Sequence, residues 1–410
     1  MNTLKAAGSS TLNLPKGSYI YSISASTPDS FAAISSDDSL RTFDSNSLKL
    51  LSVPATKTHE EGVTCLKEYG QATEGGPQLL ATAGRDGKVK LWDVRSGSGK
   101  GQPVVEMETG KFELLKSMRF TMTCIGIAKH VPVLSLACSA ATNTVVAGTE
   151  LASYQAAVVF WDIRSPKEPR LQYVESHNDD VTELQFHPLR NDIVLSGSTD
   201  GLVNIYDTNI ADEEDALIQV INHGSVHHAG YLSENAIYAL SHDETFSIHP
   251  ITNPDDPAQE PSPIQFGDVR QSLGCEYVVQ ILGGSQGTYV AAGNTTQQKL
   301  DLVPLVPNPK WRFDQENIWR LPGAHGEEIV RSIYLDEKSQ AVFTGGEDGV
   351  VVLGLACQGR QNRQCADGAA TKMRPESRQL SGQTGVGEGK KAQRRAQLGR
   401  LTGRENQDGR

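Results

Sequence analysis

The chain is written in short alternations of apolar and polar residues, and one such phrase returns from end to end. It reads LATAGRDGKVKLWDVR at 80–95, LSGSTDGLVNIYD at 195–207 and FTGGEDGVVVLGL at 343–355, with a shortened copy, VVFWDIR, at 158–164. The full phrase is a strand of small residues, a tight Asp-Gly turn, and an apolar-alternating strand ending in an aromatic followed by Asp. Between the phrases lie further period-2 segments, VTELQF at 181–186 and IVRSIYL at 329–335, which predict half-buried strands. A unit recurring every 40 to 70 residues or so cannot bury both faces of its own small sheet, so neighbours must stack. The pattern predicts an all-β, seven-bladed propeller over residues 1–355.

Aligned on the strand-terminal aromatic, the units are uneven. Unit one places Asp37 in its turn and Phe43 at the aromatic position; unit two has Asp86 and Trp92; unit four has Asp200 and Tyr206. Unit three ends at Trp161, but the loop TELASYQ replaces its turn Asp. Unit five keeps Asp243 and puts His249 at the aromatic position, and unit six lies within YVAAGNTTQQKLDLVPL. Unit seven keeps Asp348 but has Gly354 where the aromatic belongs. Ring closure requires a strand from the N-terminus on the last blade, and LNLP at 12–15 is the expected segment. Segments 94–120, 253–263 and 304–313 read as surface loops between strands.

Composition agrees with many short strands: 39 glycines, 21% charged residues and 6% aromatics in 410 residues. The six cysteines, Cys65, Cys124, Cys138, Cys275, Cys357 and Cys365, form no CxxC pair and read as small buried side chains in a reducing compartment. No run approaches the ~18 apolar residues of a membrane helix, and the first residues lack the apolar core of a signal peptide. The expectation is a soluble intracellular protein, with the nucleus slightly favoured over the cytoplasm. The net charge of −11 is divided unequally. Residues 356–410 hold 12 Lys/Arg against 5 Asp/Glu, leaving 26 against 44 in the body. The tail, rich in Gly, Gln and Arg, reads as disordered. Its KKAQRR at 390–395 is similar to a short nuclear-import signal. An acidic body does not suit nucleic acid, and the tail lacks interleaved aromatics for base stacking. No phosphate-cradling glycine motif is present, and no cofactor is expected.

Three units carry a matching set of polar residues: His59, Thr82, Asp86 and Trp92; His177, Ser196, Asp200 and Tyr206; His325, Thr344 and Asp348. These sets resemble the structural network of WD40 repeats, in which Asp accepts from His, His reaches a strand hydroxyl, and the hydroxyl reaches the aromatic's polar group. A catalytic triad would need an exposed nucleophile, and each hydroxyl here is mid-strand. The resemblance covers roughly residues 10–355. It is most specific in SHNDDVTELQFHP at 176–188, SGSTDGLVNIYDTNIADEEDAL at 196–217 and LSHDETFSIHPI at 240–251, which are similar to the WD repeat-containing protein 89 subfamily. The resemblance implies no enzymatic activity.

Other segments carry candidate binding chemistry. Trp92-Asp93-Val94-Arg95 and Trp161-Asp162-Ile163-Arg164 resemble the WDxR motif that docks substrate receptors on the Cullin4 adaptor, with Arg95 and Arg164 as the contacts; an Asp-x-Arg sequence after a strand also forms local ion pairs. The run Asp212, Glu213, Glu214 and Asp215 could hold a divalent cation or contact a basic partner, and otherwise reads as a solvated loop. Five of the ten histidines lie between 223 and 249: His223, His227, His228, His242 and His249. In a regular strand His227 and His228 point to opposite faces and cannot serve one site. His242 and His249 flank a turn and could approach; no metal is expected. The leading expectation is a non-enzymatic protein-interaction scaffold that binds no small-molecule substrate, touches no membrane and works as a monomer within a complex. A Cullin4 substrate receptor is the second reading and a propeller hydrolase the third.

Overall fold

A computed structural model describes residues 1–70, 78–96, 101–110, 130–252, 262–284, 287–308, 310–336 and 338–356. The chain divides into a compact unit of residues 1–358 and a second unit of residues 359–410. The second unit lies outside the described residues, and with it the expected disordered tail and its KKAQRR segment.

Seven antiparallel sheets follow one another along the chain. Blades 1 to 5 are four-stranded: they begin with the inner strands Ile20–Thr27, Val63–Glu68, Val133–Ser139, Val181–Phe186 and Val226–Ser233. Blade 6 runs Tyr277–Gly284, Gly287–Asn294, Lys299–Val306 and Trp319–Pro322, and blade 7 runs Val330–Asp336, Ala341–Gly346 and Val351–Ala356. The inner strands pack on one another in chain order, and blade 7 returns to blade 1. The core is accordingly not one mass. It is divided into seven apolar clusters, each spanning the seam between two adjacent blades. At the seam of blades 1 and 2, for example, Ile34 and Leu40 meet Leu66, Leu80 and Trp92. No blade buries its faces alone, as the repeat logic requires.

The ring is closed by the N-terminal strand Asn2–Ser10, not by residues 12–15. It pairs antiparallel with Val351–Ala356, from Leu4 opposite Ala356 to Ser10 opposite Val351. It also pairs in parallel with blade 6, Asn2 opposite Trp319 and Thr3 opposite Arg320, so one strand holds two blades. Residues 12–15 cannot serve, because Leu12 and Asn13 turn at φ 49° and 56°. Leu12 is instead buried in the seam between blades 7 and 1. Gly354, in the aromatic's place, pairs with Val342 and Ala6, and the Leu321 side chain of blade 6 packs over it. Two segments expected as loops contain strands. Val105–Glu108 is the outer strand of blade 2, and residues 304–306 end a blade 6 strand that also pairs with Arg312–Phe313. Most of 253–263 lies outside the described residues.

The Asp-Gly turns follow their chemistry: Gly87, Gly201 and Gly349 sit at φ 71°, 93° and 71°, where a side chain is strained. Units one and five put Asp38 and Glu244 there instead, at φ 63° and 59°. Each offsets the strain by capping the next blade, since Asp38 accepts from Val63 N–H at 3.0 Å and Glu244 from Val278 N–H at 3.2 Å. Among the described residues no helix is long and apolar enough to cross a membrane.

Candidate functional site

The structure brings the three polar sets together inside their blades. In blade 2, His59 Nδ1 lies 2.8 Å from Asp86 Oδ1, His59 Nε2 lies 2.9 Å from Thr82 Oγ1, and Trp92 Nε1–H donates to Thr82 at 2.8 Å. Asp86 only accepts, so Nδ1 carries the proton and the Thr82 hydroxyl donates to Nε2. In blade 4, His177 bridges Asp200 at 3.1 Å and Ser196 at 2.6 Å. Asn204, which the motif did not reveal, joins that set by donating to Tyr206 Oη and to the Ser176 carbonyl. In blade 7, His325 bridges Asp348 and Thr344, each at 2.8 Å. The hydroxyl-bearing residues Thr82, Ser196 and Thr344 are fully buried, and none can reach a substrate.

Blade 3 provides the internal control. Its turn lacks Asp, Ala147 stands where blade 2 has Thr82, and the buried Trp161 indole N–H has no partner among the described residues. Replacing Trp92 by Phe should therefore cost about 1 kcal/mol more than replacing Trp161 by Phe, because only the former loses a hydrogen bond. Denaturant unfolding of the two variants checks this.

Both WDxR arginines fold back on their own aspartates. Arg95 donates through its backbone N–H, Nε and Nη2 to Asp93, and Arg164 does the same to Asp162. Those contacts hold the Asp162 carboxyl down at about 2. Asp268 and Arg270 form the same fork without a Trp, so the pair is a local turn device as well as a motif. The guanidinium groups remain exposed, with side-chain exposure of 50% for Arg95 and 69% for Arg164.

The acidic run is split by the structure. Asp212 caps the one-turn helix Glu213–Ala216, accepting from the N–H groups of Glu214 and Asp215. Glu213 turns inward and accepts from the backbone N–H groups of Val174, Glu175 and Ser176, ordering the approach to His177. A partner can reach only Glu214 and Asp215 without unmaking these bonds, so the four carboxylates do not act as one patch.

The central channel, of about 540 Å³, is walled by the seven inner strands. Each inner strand shifts register near its start, as between Val63 and Cys65, Val181 and Glu183, Val226 and His228, and Val330 and Ser332. The bulge adds one channel-facing residue per blade, among them Tyr21, Thr64, Thr182, His227 and Arg331. It also overturns the expected opposition of His227 and His228: both line the channel, with ring centroids 4.1 Å apart. His242 stacks on His227 at 5.0 Å, whereas His249 pairs with His223 through Ser247. Side chains bridge the seams next to this wall: Thr64 donates to the Val133 carbonyl, Ser135 to Val181, Thr182 to Val226, and His228 Nε2 lies 3.1 Å from the Val279 carbonyl. A further ion pair, absent from the repeat motif, joins the buried Asp301 to the partly exposed Arg320, bidentate at 2.6 and 2.8 Å. Burial raises the thiols of Cys65 to about 11 and of Cys138 and Cys275 to about 12, and these three are free. Cys124, Cys357 and Cys365 lie outside the described residues.

The family model for the WD domain, G-beta repeat, matches residues 51–93 and 169–207. An uncharacterised WD repeat-containing protein of Saccharomyces cerevisiae is 37% identical over 73% of this chain and 69% of its own length. The chain belongs to the WD repeat-containing protein family. A Schizosaccharomyces pombe member is 31% identical over 74% of this chain and 85% of its own length. A WD repeat-containing protein 89 homolog of Dictyostelium discoideum is 26% identical over 43% of this chain and 53% of its own. The WD40 propeller domain of Doa1 superposes with a TM-score of 0.58 at 13% identity, covering 87% of this chain and 97% of that one, a likeness of fold.

Proposed function

We propose that this WD40 propeller is a non-enzymatic scaffold that presents its rim loops and channel mouth to partner proteins. The observation carrying this reading is that the three His–hydroxyl–Asp sets are closed on themselves: every hydroxyl is buried and spent on its own histidine. The chemistry that could resemble a hydrolase is thereby committed to blade architecture, and the exposed surface is left for recognition. A propeller hydrolase is disfavoured for the same reason.

A second reading, a substrate receptor of a Cullin4-type ligase, rests on Arg95 and Arg164. They occupy equivalent places just past the third strands of adjacent blades and expose their guanidinium groups on one rim. Two guanidinium groups in equivalent places, each held in a fixed orientation by its own aspartate, suit a partner that recognises planar donors.

Quantitative affinity capture of the wild type and of the Arg95→Glu/Arg164→Glu double variant tests both readings. The scaffold reading expects stoichiometric partners in the wild type and no turnover of ester, phosphate or peptide substrates. Turnover, or no partner above background, would sink it. The receptor reading expects loss of a Cullin4 adaptor alone in the double variant, and an adaptor retained despite both charge reversals would end it.

A further inference from the structure

We infer that the blade 3 hairpin at 150–156 is a docking prong, whose Tyr154 ring enters an apolar slot on a partner protein that carries Lys or Arg at the slot's rim. The inference deepens the scaffold reading and rests on it. The prong stands apart from the channel, whose wall includes none of residues 149–157. In blades 2, 4 and 7 the second and third strands are joined by an Asp-Gly turn with its glycine at positive φ. Blade 3 replaces that turn by a longer excursion. Beyond Thr149 its two arms rejoin once, where Ala152 and Gln155 exchange both backbone hydrogen bonds at 2.9 and 3.0 Å. Ser153 and Tyr154 form the two-residue tip.

The tip runs against its own backbone preference. Ser153 and Tyr154 both sit at positive φ, 53° and 67°, conformations that such hairpin turns ordinarily give to Asn and Gly. A bulky aromatic there is strained. Nothing within the chain offsets that strain through the ring: Tyr154 is 96% exposed and has no hydrogen-bond or aromatic partner among the described residues. Leu151 beside it is exposed as well. The base, by contrast, is pinned from both sides. Leu151 N–H donates to Asp180 Oδ1, on the approach to blade 4, at 2.8 Å, and Glu150 N–H donates to the Pro132 carbonyl at 2.9 Å. The Glu150 carboxylate pairs with Arg85 of the blade 2 turn at 3.4 Å.

A fixed base and a bare tip are what a recognition anchor needs. Little ordering cost is left for association, because the hairpin is closed before a partner arrives. The tyrosine ring supplies a large, rigid contact that is apolar on its faces and polar at its hydroxyl. The partner's chemistry follows from the surroundings. Glu150, Asp179 and Asp180 stand at the base against the single Arg85, so the prong rises from an acidic surface and suits a slot with a basic rim.

Tyr154→Asn separates recognition from folding, because Asn tolerates positive φ and keeps the turn. The full chain with this substitution is expected to unfold at a denaturant midpoint equal to or above that of the wild type. A lower midpoint would show that the ring supports its own fold, and would overturn the prong. The partner is sought by photo-crosslinking in cell extract from the full chain with Tyr154→p-benzoylphenylalanine. Leu51→p-benzoylphenylalanine, exposed on the outer strand of blade 1, is the control. The expected result is a protein linked from position 154 and not from 51, at residues lining an apolar slot with a basic rim. Calorimetry with that purified partner should show affinity falling roughly tenfold or more in Tyr154→Asn, and weakening as salt is raised. Equal affinity for wild type and variant would end the prong and leave the scaffold reading standing, and so would partners captured by the wild type but never linked from 154. Capture of no partner at all would end both.

Discussion

Deleting residues 2–10 is expected to open the ring and lower stability by at least about 3 kcal/mol. The strand they form makes six registered pairs with blade 7 and two with blade 6, and it buries Leu4 between those blades. Net backbone hydrogen bonds contribute about 0.5–1.5 kcal/mol each, and a fully buried Leu about 1.5–3 kcal/mol. The deletion also bares the edges of Trp319–Pro322 and Val351–Ala356, two unpaired templates for association. Because every seam cluster leans on the next blade, the loss should spread beyond blades 6 and 7. Chemical unfolding followed by tryptophan fluorescence would show a lower midpoint, and light scattering would show association. An unchanged midpoint would mean that the ring does not depend on its N-terminal strand.

Asp86→Ala is expected to cost about 1–3 kcal/mol, the penalty for leaving buried donors without their acceptor. Asp86 accepts from His59 Nδ1 and from the N–H groups of Glu60 and Lys88, and only 9% of it is exposed. Burial opposes its charge, yet the bond from His59 and the backbone N–H of Glu60 together hold its carboxyl below the usual value. A lowered folded-state pKa stabilises the protein above the unfolded carboxyl's pKa of about 3.9. That contribution is lost as pH falls through the folded value. Asp200 is lowered in the same way, with burial again opposing and His177 and Asn178 prevailing. Stability measured from pH 7 down to 3 should therefore fall less steeply in the Asp86→Ala protein than in the wild type. A parallel fall would place the acid sensitivity elsewhere.

How much of this was legible in the sequence depends on how local the cause is. The Asp-Gly turn, the terminal aromatic and the histidine preceding blades 2, 4 and 7 are short-range signals, and the resemblance to WD40 repeats implied how the sets around Asp86, Asp200 and Asp348 connect. The gap in unit three was legible too, where the missing Asp is matched by a Trp161 indole unpaired among the described residues. The closing strand was misplaced because its partners lie over 300 residues away and NTLKAAGSS buries only Leu4 strongly. The Asp301–Arg320 pair escaped because Asp301 sits within a strand, away from the turns the motif marks. The bulges were the costliest omission. A register shift is a backbone event with no fixed residue signature, and it alone places His227 and His228 on the same wall. How the run at 212–215 divides into capping and exposed carboxylates was not legible for a related reason: a one-turn helix aims neighbouring carboxylates in different directions.

The fold thus gives each polar set a defined task. The buried sets fix blade geometry, and the seam bridges hold the inner strands together. The central claim is that partners are recognised on this rigid ring, at its mouth and rim. Hydrogen–deuterium exchange on the purified complex, compared with the free protein, tests that claim most directly. The account predicts added protection at the start of the inner strands, around 226–230 and 330–334, or on the rim loops beside Arg95 and Arg164, with the buried strands unchanged. A bound partner that protects no segment of residues 1–356 would contradict it.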